Sequence, residues 1–129
     1  MTTVGEIMTR GLLSVEAGAA LVEAAQRMTE RHVGAALVVE GGVLRGILTE
    51  RDVLRAVAAG PVEGATVADW MTRNPETVDA SESTGHAASL MIHGGFRHLP
   101  VTDEGRLAGI ISIRDLIRLS LDDESPRGV

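Results

Sequence analysis

The chain has 129 residues and no cysteine, its formal net charge is −6, and 44% of its residues are hydrophobic. This is the composition of a globular domain, and the lack of cysteine excludes disulfides, thiolate metal sites and cysteine nucleophiles. No apolar run reaches about 18 residues, so we expect no membrane-spanning helix. The first residues lack the basic and apolar regions of a secretory signal, and we therefore expect a cytoplasmic protein.

The basic and aromatic residues exclude further functions. All 12 basic residues are arginine, which removes every lysine-based mechanism, and the aromatic residues are Trp70 and Phe96. Binding of single-stranded nucleic acid usually needs stacked aromatic side chains and a basic groove. Because the chain has a net negative charge and two aromatic residues, nucleic acid is predicted to be a poor general partner, and a local basic patch stays open because net charge does not report its distribution. Trp70 stands where an earlier, similar segment has Ile7, and it is predicted to be a packing residue, either inside the chain or at a dimer surface.

The chain is an internal repeat with a period of 63 residues. Over 52 aligned pairs, 17 are identical and no gap is needed. Residues 59–66, which contain a Gly-Pro pair, join the two copies. We therefore predict one repeat over residues 1–63, a second over residues 64–122, and a flexible acidic tail over residues 123–129.

The elements predicted in the first copy run in the order strand, helix, strand, strand, helix. A capped turn, Thr3-x-x-Glu6, opens the copy, and periodic apolar residues then mark strands and helices. The predicted elements are an extended piece at Ser14-Val15, a helix with Leu21, Ala24, Ala25 and Met28 on its buried face, strands at residues 35–39 and 43–48 around a Gly41-Gly42 turn, and a helix from Thr49 with Val53, Leu54 and Val57 on its apolar face.

The second copy repeats this order. Its predicted elements are a capped turn at Thr66-x-x-Asp69, an extended piece at Thr77-Val78, a helix with Ala87, Ala88 and Met91 on one face, strands at residues 99–102 and 106–111, and a helix from Ser112 with Leu116, Ile117 and Leu121 on its apolar face. A copy of about 60 residues builds only a small core. The predicted fold class is therefore α+β, with two β-α-β-β-α repeats packed sheet to sheet with pseudo-two-fold symmetry and a cleft on either side of the seam.

The sharpest repeated motif is Gly-h-h-[Ser/Thr]-x-Arg-Asp, in which h is apolar, at residues 46–52 and 109–115. At a strand-to-helix junction, [Ser/Thr]-x-x-[Asp/Glu] is a capping box. The same junction also suits a nucleotide, because a helix N-terminus attracts phosphate. A carboxylate there can accept hydrogen bonds from two ribose hydroxyls, while a hydroxyl and an arginine can bind phosphate oxygens. The glycine lets a backbone approach closely. Capping and ligand binding are compatible, and both interpretations stay open.

The duplicated pattern resembles a tandem pair of CBS domains, the cystathionine β-synthase motif family, also called a Bateman module. The resemblance covers about residues 4–121 and rests on Asp-x-Met-Thr at residues 69–72, on Arg-His-Leu-Pro-Val at residues 97–101, and on the two motif copies. It implies a regulatory module that binds AMP, ADP or ATP, with NAD and S-adenosylmethionine as further candidates. It also implies no obligatory cofactor, a homodimer formed through helices, and a separate effector protein. The small-residue helix faces at Ala24-Ala25 and Ala87-Ala88 likewise predict the dimer.

The resemblance implies that each cleft uses residues of both copies. One cleft would combine Thr49, Arg51 and Asp52 with Thr77 and Val78, and the other would combine Ser112, Arg114 and Asp115 with Ser14 and Val15. The aspartates would hold ribose, and Thr49 and Ser112 would contact ribose or phosphate.

Basic residues distinguish the two copies. Arg97 and His98 are candidate phosphate contacts, in the segment that includes Pro100, whereas the first copy has Gly34-Ala35 at the matching positions. The two clefts are therefore expected to differ in affinity, with the cleft that uses Ser112 and Asp115 favoured.

Catalysis and metal binding are not expected. His86, His93 and His98 form a conceivable zinc set, but His86 and His93 lie two helical turns apart, too far for one ion in an ordinary geometry. No Ser, His and Asp residues have the flanks of a nucleophile elbow. We predict no enzyme activity and no metal. The alternative function is a ligand-independent dimeric scaffold whose motifs serve only as caps.

Overall fold

The computed structural model describes residues 1–123, and it confirms the predicted α+β class and the repeated order of elements. The tail predicted at residues 123–129 lies outside the described residues apart from Asp123. The elements are α1 (Val4–Ile7), β1 (Ser14–Val15), α2 (Leu21–Glu30), β2 (Ala35–Glu40), β3 (Val43–Thr49), α3 (Glu50–Ala59), α4 (Val67–Trp70), β4 (Thr72–Arg73), β5 (Val78–Asp79), α5 (Thr84–Gly94), β6 (His98–Asp103), β7 (Arg106–Ser112) and α6 (Ile113–Asp123).

The chain forms two compact units whose edges differ from those of the sequence repeats. The first unit is residues 12–75, and the second unit combines residues 1–11 with the chain from Glu76 onward. Each opening segment therefore packs in the unit built by the other copy. The repeat boundary at residues 63 and 64 stays a prediction about the sequence, whereas the packing divides the chain about 12 residues later.

Backbone hydrogen bonds explain this exchange of the opening segments. In the second unit, the N–H of Val4 donates to the carbonyl of Glu82 at 2.8 Å, and the N–H of Gly5 donates to the carbonyl of Ala80 at 2.9 Å. In the first unit, the N–H of Val67 donates to the carbonyl of Ala19 at 2.9 Å. Each short helix is thus tied to the segment that precedes the first long helix of its unit.

The first unit holds a four-stranded sheet in the order β1-β2-β3-β4. Strands β1 and β2 are parallel, while β2–β3 and β3–β4 are antiparallel. Helices α2 and α3 contribute apolar side chains to the core that this sheet shares with α4. The buried core residues are Leu13, Val15, Leu21, Ala24, Met28, Ala36, Val38, Leu48, Ala56, Val67 and Met71.

The second unit repeats the arrangement with three strands in the order β5-β6-β7. Strand β5 is parallel to β6, and β6 is antiparallel to β7. An isolated bridge between Thr9 and Ile110 takes the position that β4 has in the first unit. The buried core residues are Val4, Met8, Val78, Ala87, Met91, Leu99, Val101 and Ile111.

The β-hairpins of both units have the predicted tight turns. Gly41 and Gly42 have φ values of 56° and 79°, and Glu104 and Gly105 have values of 52° and 78°. Two consecutive positive φ values are typical of the hairpin turn that matches strand twist. Both hairpins also contain a register shift, after Val38 and after Val101. The repeat is therefore preserved down to the irregularities of the sheet.

The predicted apolar face of the first long helix α2 is largely buried, whereas much of the predicted apolar face of the second long helix in each unit is exposed. Leu21, Ala24 and Met28 of α2 are buried as predicted, whereas Ala25, predicted for the same face, is only partly buried. On the second helices, Val53 and Leu116 are partly buried and pack against the cores. The other predicted apolar residues lie at the surface, with Leu54 68% exposed and Ile117 53% exposed. Helix α3 turns Asp52 and Ala56 toward the interior. Part of the apolar face of each of these helices is thus not covered by residues 1–123.

One of the two predicted opening caps is wrong. In both turns the N–H of the acidic residue donates to the backbone carbonyl of the threonine, from Glu6 to Thr3 at 3.2 Å and from Asp69 to Thr66 at 3.1 Å, and Thr3 makes no side-chain cap. At the second opening turn, the N–H of Thr66 donates to Asp69 Oδ2 at 2.8 Å. The longer Glu6 side chain provides no matching bond in the first turn.

Candidate functional site

In the first unit, the repeated motif closes β3 and opens α3. Thr49 is the N-cap, with extended backbone angles of −111° and 164°. Its N–H donates to Asp52 Oδ2 at 2.9 Å, and its hydroxyl donates to the same oxygen at 3.0 Å. The N–H of Asp52 donates back to Thr49 Oγ1 at 3.3 Å. The predicted capping box is therefore confirmed, and it fixes the carboxylate of Asp52 beside the N-terminus of α3.

The second oxygen of Asp52 is bound by an arginine that sequence reasoning did not single out. Arg55 Nη1 donates to Asp52 Oδ1 at 3.0 Å, and the Asp52 side chain is 5% exposed. The guanidinium of Arg55 lies over the Trp70 ring, 5.8 Å from its centroid, within the range of a cation–π interaction. Asp52 is the one buried charged residue among those described. Both of its oxygens are engaged within the unit.

The motif of the second unit has the same cap, but the second carboxylate oxygen of its aspartate has different surroundings. The N–H of Ser112 donates to Asp115 Oδ2 at 2.8 Å, and the Ser112 hydroxyl donates to it at 3.1 Å. The N–H of Asp115 donates to Ser112 Oγ at 3.2 Å. Asp115 is half-buried. No hydrogen bond or ion pair of residues 1–123 engages Asp115 Oδ1.

Basic residues stand beside the motif of the second unit. The N–H of Ile113, the first residue of α6, donates to the carbonyl of Arg97 at 2.9 Å, and His98 is the strand partner of Ser112. In the first unit the matching acceptor is the carbonyl of Gly34, which binds the N–H of Glu50 at 3.0 Å. The structure therefore brings Arg97 and His98 to the predicted junction, and only the second unit has them.

Arg51 and Arg114 lie in the first turns of α3 and α6, and both are exposed. Each directly precedes the motif aspartate of its own unit. An exposed arginine in the first turn of a helix can reach an anion at the helix N-terminus.

The remaining predicted residues belong to the sheets. Val15 and Val78 are buried, whereas Ser14 and Thr77 are exposed. Pro100 is buried in the central strand β6. Ser14 and Val15 fall in the first unit with Thr49, Arg51 and Asp52, and the other predicted residues all fall in the second unit. The groupings that combine residues of both units stay predictions.

The glycines that open the two motifs are explained by packing inside each unit. A Cβ on Gly46 would lie 2.7 Å from the carbonyl oxygen of Thr72 and 2.9 Å from Met71 Sδ. A Cβ on Gly109 would lie 2.8 Å from the carbonyl oxygen of Thr9 and 2.7 Å from Met8 Sδ. The close approach predicted at this glycine is therefore made by the Met-Thr segment.

Asp79 lies one residue beyond the predicted contact Val78. Its Oδ1 accepts hydrogen bonds from the Ser81 hydroxyl at 2.7 Å and from the Ser81 N–H at 2.9 Å. These two bonds, the side-chain bond first, lower the pKa of Asp79 from its ordinary value of 3.8. Asp79 therefore remains a carboxylate under ordinary conditions.

The histidines of α5 have local partners. His86 Nε2 lies 3.9 Å from Glu82 Oε2, and His93 Nδ1 lies 2.8 Å from the backbone carbonyl oxygen of Ser89. Among residues 1–123, no three His, Asp or Glu side chains are close enough together to hold a metal ion. Within the same range, no helix has the length and apolarity needed to cross a membrane.

An apolar groove of about 580 Å³ lies in the first unit, away from the motif. Its lining comes from α2, α3 and Val62, and it includes Val22, Ala25, Val53 and Val57. None of the predicted ligand contacts lines it. The groove instead continues the uncovered apolar face of the helices.

The sequence matches the family description of a CBS domain twice, over residues 4–59 and 67–122. A CBS domain-containing protein of Bacillus subtilis, YhcV, is 35% identical over 126 residues, which cover 97% of this chain and 90% of that protein. The structure is also similar to that of a protein with CBS domains from Burkholderia ambifaria, with a TM-score of 0.91, 34% identity and 98% of each chain covered.

Two further similar structures contain adenosine compounds. The CBS domain pair of protein MJ0100 was solved in complex with 5′-methylthioadenosine and S-adenosyl-L-methionine. It has a TM-score of 0.88 and 27% identity, and 95% of this chain and 98% of that one are covered. CBSX2, an Arabidopsis thaliana protein, was solved in complex with AMP. It has a TM-score of 0.82 and 28% identity, with 96% of this chain and 99% of that one covered.

Proposed function

The chain belongs to the CBS-domain family, and we propose that it is a regulatory module that binds an adenosine compound. The observation that carries the proposal is the carboxylate of Asp115. Ser112 holds it at the N-terminus of α6, and one of its oxygens is left without a partner among the described residues. AMP, S-adenosylmethionine and methylthioadenosine, the ligands of similar proteins, share a ribose with two neighbouring hydroxyls. Such hydroxyls can donate hydrogen bonds to a carboxylate oxygen without a partner.

In this proposal Asp52 and Asp115 bind ribose, and Thr49 and Ser112 contact ribose or phosphate. Arg51 and Arg114, in the first helical turns, bind phosphate oxygens where the ligand has them. Arg97 and His98 add cationic and hydrogen-bonding groups in the second unit. The sheet residues around them are proposed to form the walls against the adenine, namely Ser14, Val15, Thr77, Val78 and Pro100.

The proposed mechanism is a shift between conformations. A ligand changes the population of two states only if it binds one of them more tightly. The change would be transmitted to a separate effector protein, and we propose no catalytic step for this chain. ADP, ATP and NAD remain candidate ligands beside AMP and S-adenosylmethionine, and none of them is proposed as an obligatory cofactor.

Thermal unfolding with a ligand panel tests the proposal. The panel contains AMP, ADP, ATP, NAD and S-adenosylmethionine, with GMP as the guanine control. A ligand at about 100 times its dissociation constant adds about 2.7 kcal/mol to stability, which raises the unfolding temperature of a chain of this size by several degrees. A rise with an adenosine compound and none with GMP supports the proposal, whereas a flat response to the whole panel contradicts it.

A ligand-independent dimeric scaffold is the second candidate, and the exposed helix faces favour it. Leu54, Val57, Ile117 and Leu121 are each more than half exposed. Contiguous exposed apolar residues mark association sites. We propose that these faces form a homodimer in either case. Dimerisation without any response to the panel would leave the scaffold as the function.

A further inference from the structure

The two motif aspartates differ in what their second oxygen contacts. Asp52 Oδ1 accepts from Arg55 Nη1 at 3.0 Å, whereas Asp115 Oδ1 has no hydrogen-bond or ion-pair partner in residues 1–123. Over the same residues, every buried side-chain oxygen and nitrogen has a hydrogen-bond partner. Asp115 Oδ1 is therefore reachable by solvent, while Asp52 Oδ1 is covered.

Both units have an arginine three residues beyond the motif aspartate, so the presence of an arginine does not explain why only Asp52 is bound by one. Arg118 is the repeat equivalent of Arg55, three residues beyond its aspartate, yet no ion pair joins it to Asp115 in the described chain. The difference lies in the residue that supports the guanidinium. Arg55 lies over Trp70, and the equivalent position of the second unit is Ile7, which packs on the core and has no aromatic ring.

We infer that Arg55, held by Trp70, is a gate that closes the ribose-binding carboxylate of the first unit. This inference rests on the proposed function. Ribose binding through two neighbouring hydroxyls needs an accessible carboxylate oxygen. At Asp52, Thr49 donates to Oδ2 and Arg55 to Oδ1, and the side chain is 5% exposed. The second unit, with its open Asp115, is then the site that fills first.

The surroundings of Arg55 make the block reversible. The Arg55 side chain is 60% exposed although its partner carboxylate is 5% exposed. The guanidinium can therefore leave into water without crossing the core. A ligand that enters the first unit must first break the bond to Asp52 and the contact with Trp70, and its apparent affinity is lowered by the rarity of the open state.

A titration in a chain whose second site is silenced tests the gate. The background is Asp115→Ala, and the probes are AMP and S-adenosylmethionine, each measured by isothermal titration calorimetry. Arg55→Gln and Trp70→Ile are added singly to this background. The second substitution installs the residue that the other unit has at that position. Arg118→Gln is the matched control, because Arg118 makes no bond to a motif carboxylate.

The expected result is a gain of about tenfold in affinity for Arg55→Gln, which corresponds to the loss of one charge-assisted hydrogen bond. A smaller gain is expected for Trp70→Ile and none for Arg118→Gln. Equal affinity with and without Arg55→Gln overturns the gate, and so does a fall, which would make Arg55 a ligand contact. Thermal unfolding of each variant verifies that it is folded.

The two proposals fail in different ways. Binding by the unsubstituted chain that is lost in Asp115→Ala, and is not restored by Arg55→Gln, overturns the gate and leaves the proposed function standing. Failure of the unsubstituted chain and of Arg55→Gln to bind any member of the panel overturns the proposed function and the gate together.

Discussion

Ser112 and Asp115 are joined by three hydrogen bonds, and the two that reach the carboxylate both use its oxygen Oδ2. The Ser112 N–H and hydroxyl donate to Asp115 Oδ2 at 2.8 and 3.1 Å, and the Asp115 N–H donates to the hydroxyl at 3.2 Å. The cap therefore orients the carboxylate without using its second oxygen. The cap thus does not exclude the proposed ligand binding, which would use the second oxygen.

Asp115→Ala should separate these two roles. We expect a loss of about 1 kcal/mol in the free energy of unfolding from the lost cap, and a fall of at least about tenfold in affinity for the adenosine compound that stabilises the native chain. Urea unfolding and calorimetric titration measure the two quantities.

Asp69→Ala is the matched control for the cap. Asp69 accepts a bond from the Thr66 N–H at 2.8 Å, as Asp115 does from Ser112, but it caps the short helix α4. It should lower stability while leaving the affinity unchanged. Undiminished affinity in Asp115→Ala would assign that aspartate to capping alone.

Gly46→Ala and Gly109→Ala should each destabilise the chain through a backbone clash. The added Cβ would stand 2.7 Å from the Thr72 carbonyl oxygen or 2.8 Å from that of Thr9, and neither oxygen can move without disturbing the strand pairing beside it. We expect a loss of about 1–3 kcal/mol, as for other overpacked sites, measured by urea unfolding.

Gly18→Ala is the control for these glycines, because a Cβ there meets no atom within 4 Å. It should cause no loss of stability. Equal stability of Gly46→Ala, Gly109→Ala and Gly18→Ala would show that the Met-Thr segments do not constrain the motif glycines.

Local patterns made much of this fold predictable. The Gly41-Gly42 turn predicted a hairpin because two residues with positive φ match the twist of the strands. The spacing of Leu21, Ala24 and Met28 predicted which face of α2 is buried, because apolar residues at helical spacing share one side. The turn and the helix face both involve residues that are close in sequence, so a single sequence is enough to predict them.

Other features depend on residues that are distant in sequence. The 63-residue period shows that Val4 and Val67 are equivalent, but a period carries no information on which sheet each segment joins. The bond from Arg55 to Asp52 follows a helical spacing that could have been noticed. The contact between Arg55 and Trp70 could not have been predicted in this way. It depends on α4, which opens the second sequence copy, packing in the first unit.

The apolar faces of α3 and α6 were predicted, but their exposure was not. Hydrophobic spacing identifies a face that will be buried, and it does not say whether the same chain or another one covers it. Asp52 occupies an inward position of α3, which leaves Leu54 to point outward at 68% exposure.

Ser81→Ala should raise the pKa of Asp79 toward 3.8, because it removes the larger of the two bonds that lower it. A carboxylate with a lowered pKa in the folded state stabilises the fold fully above pH 3.8 and loses this effect as the pH falls through the lowered pKa. The stability difference between Ser81→Ala and the native chain should therefore be present at neutral pH and vanish in acid.

Carboxyl NMR titration measures the pKa of Asp79, and thermal unfolding across pH measures the stability difference. Ser120→Ala, at an exposed position of α6, should change neither quantity. An unchanged pKa of Asp79 in Ser81→Ala would contradict the assignment of its cause.

Leu54→Glu and Ile117→Glu should convert the proposed dimer to a monomer. These repeat-equivalent residues are 68% and 53% exposed on the second helices of their units, and a buried unpaired carboxylate at an interface is strongly unfavourable. Because neither side chain belongs to a core, each variant should remain folded as a monomer, which a thermal unfolding transition verifies. Light scattering should report 13.6 kDa for the variants and twice this mass for the native chain.

Val43→Glu is the control for this surface. Val43 is 50% exposed, but it lies at the start of β3 rather than on a helix. If the helix faces form the interface, this variant should stay dimeric, because it adds the same charge at a position outside that interface. A native chain that remains at 13.6 kDa at high micromolar concentration would remove the dimer. Dissociation by Val43→Glu but not by Leu54→Glu or Ile117→Glu would place the contact on the hairpins rather than on the helices.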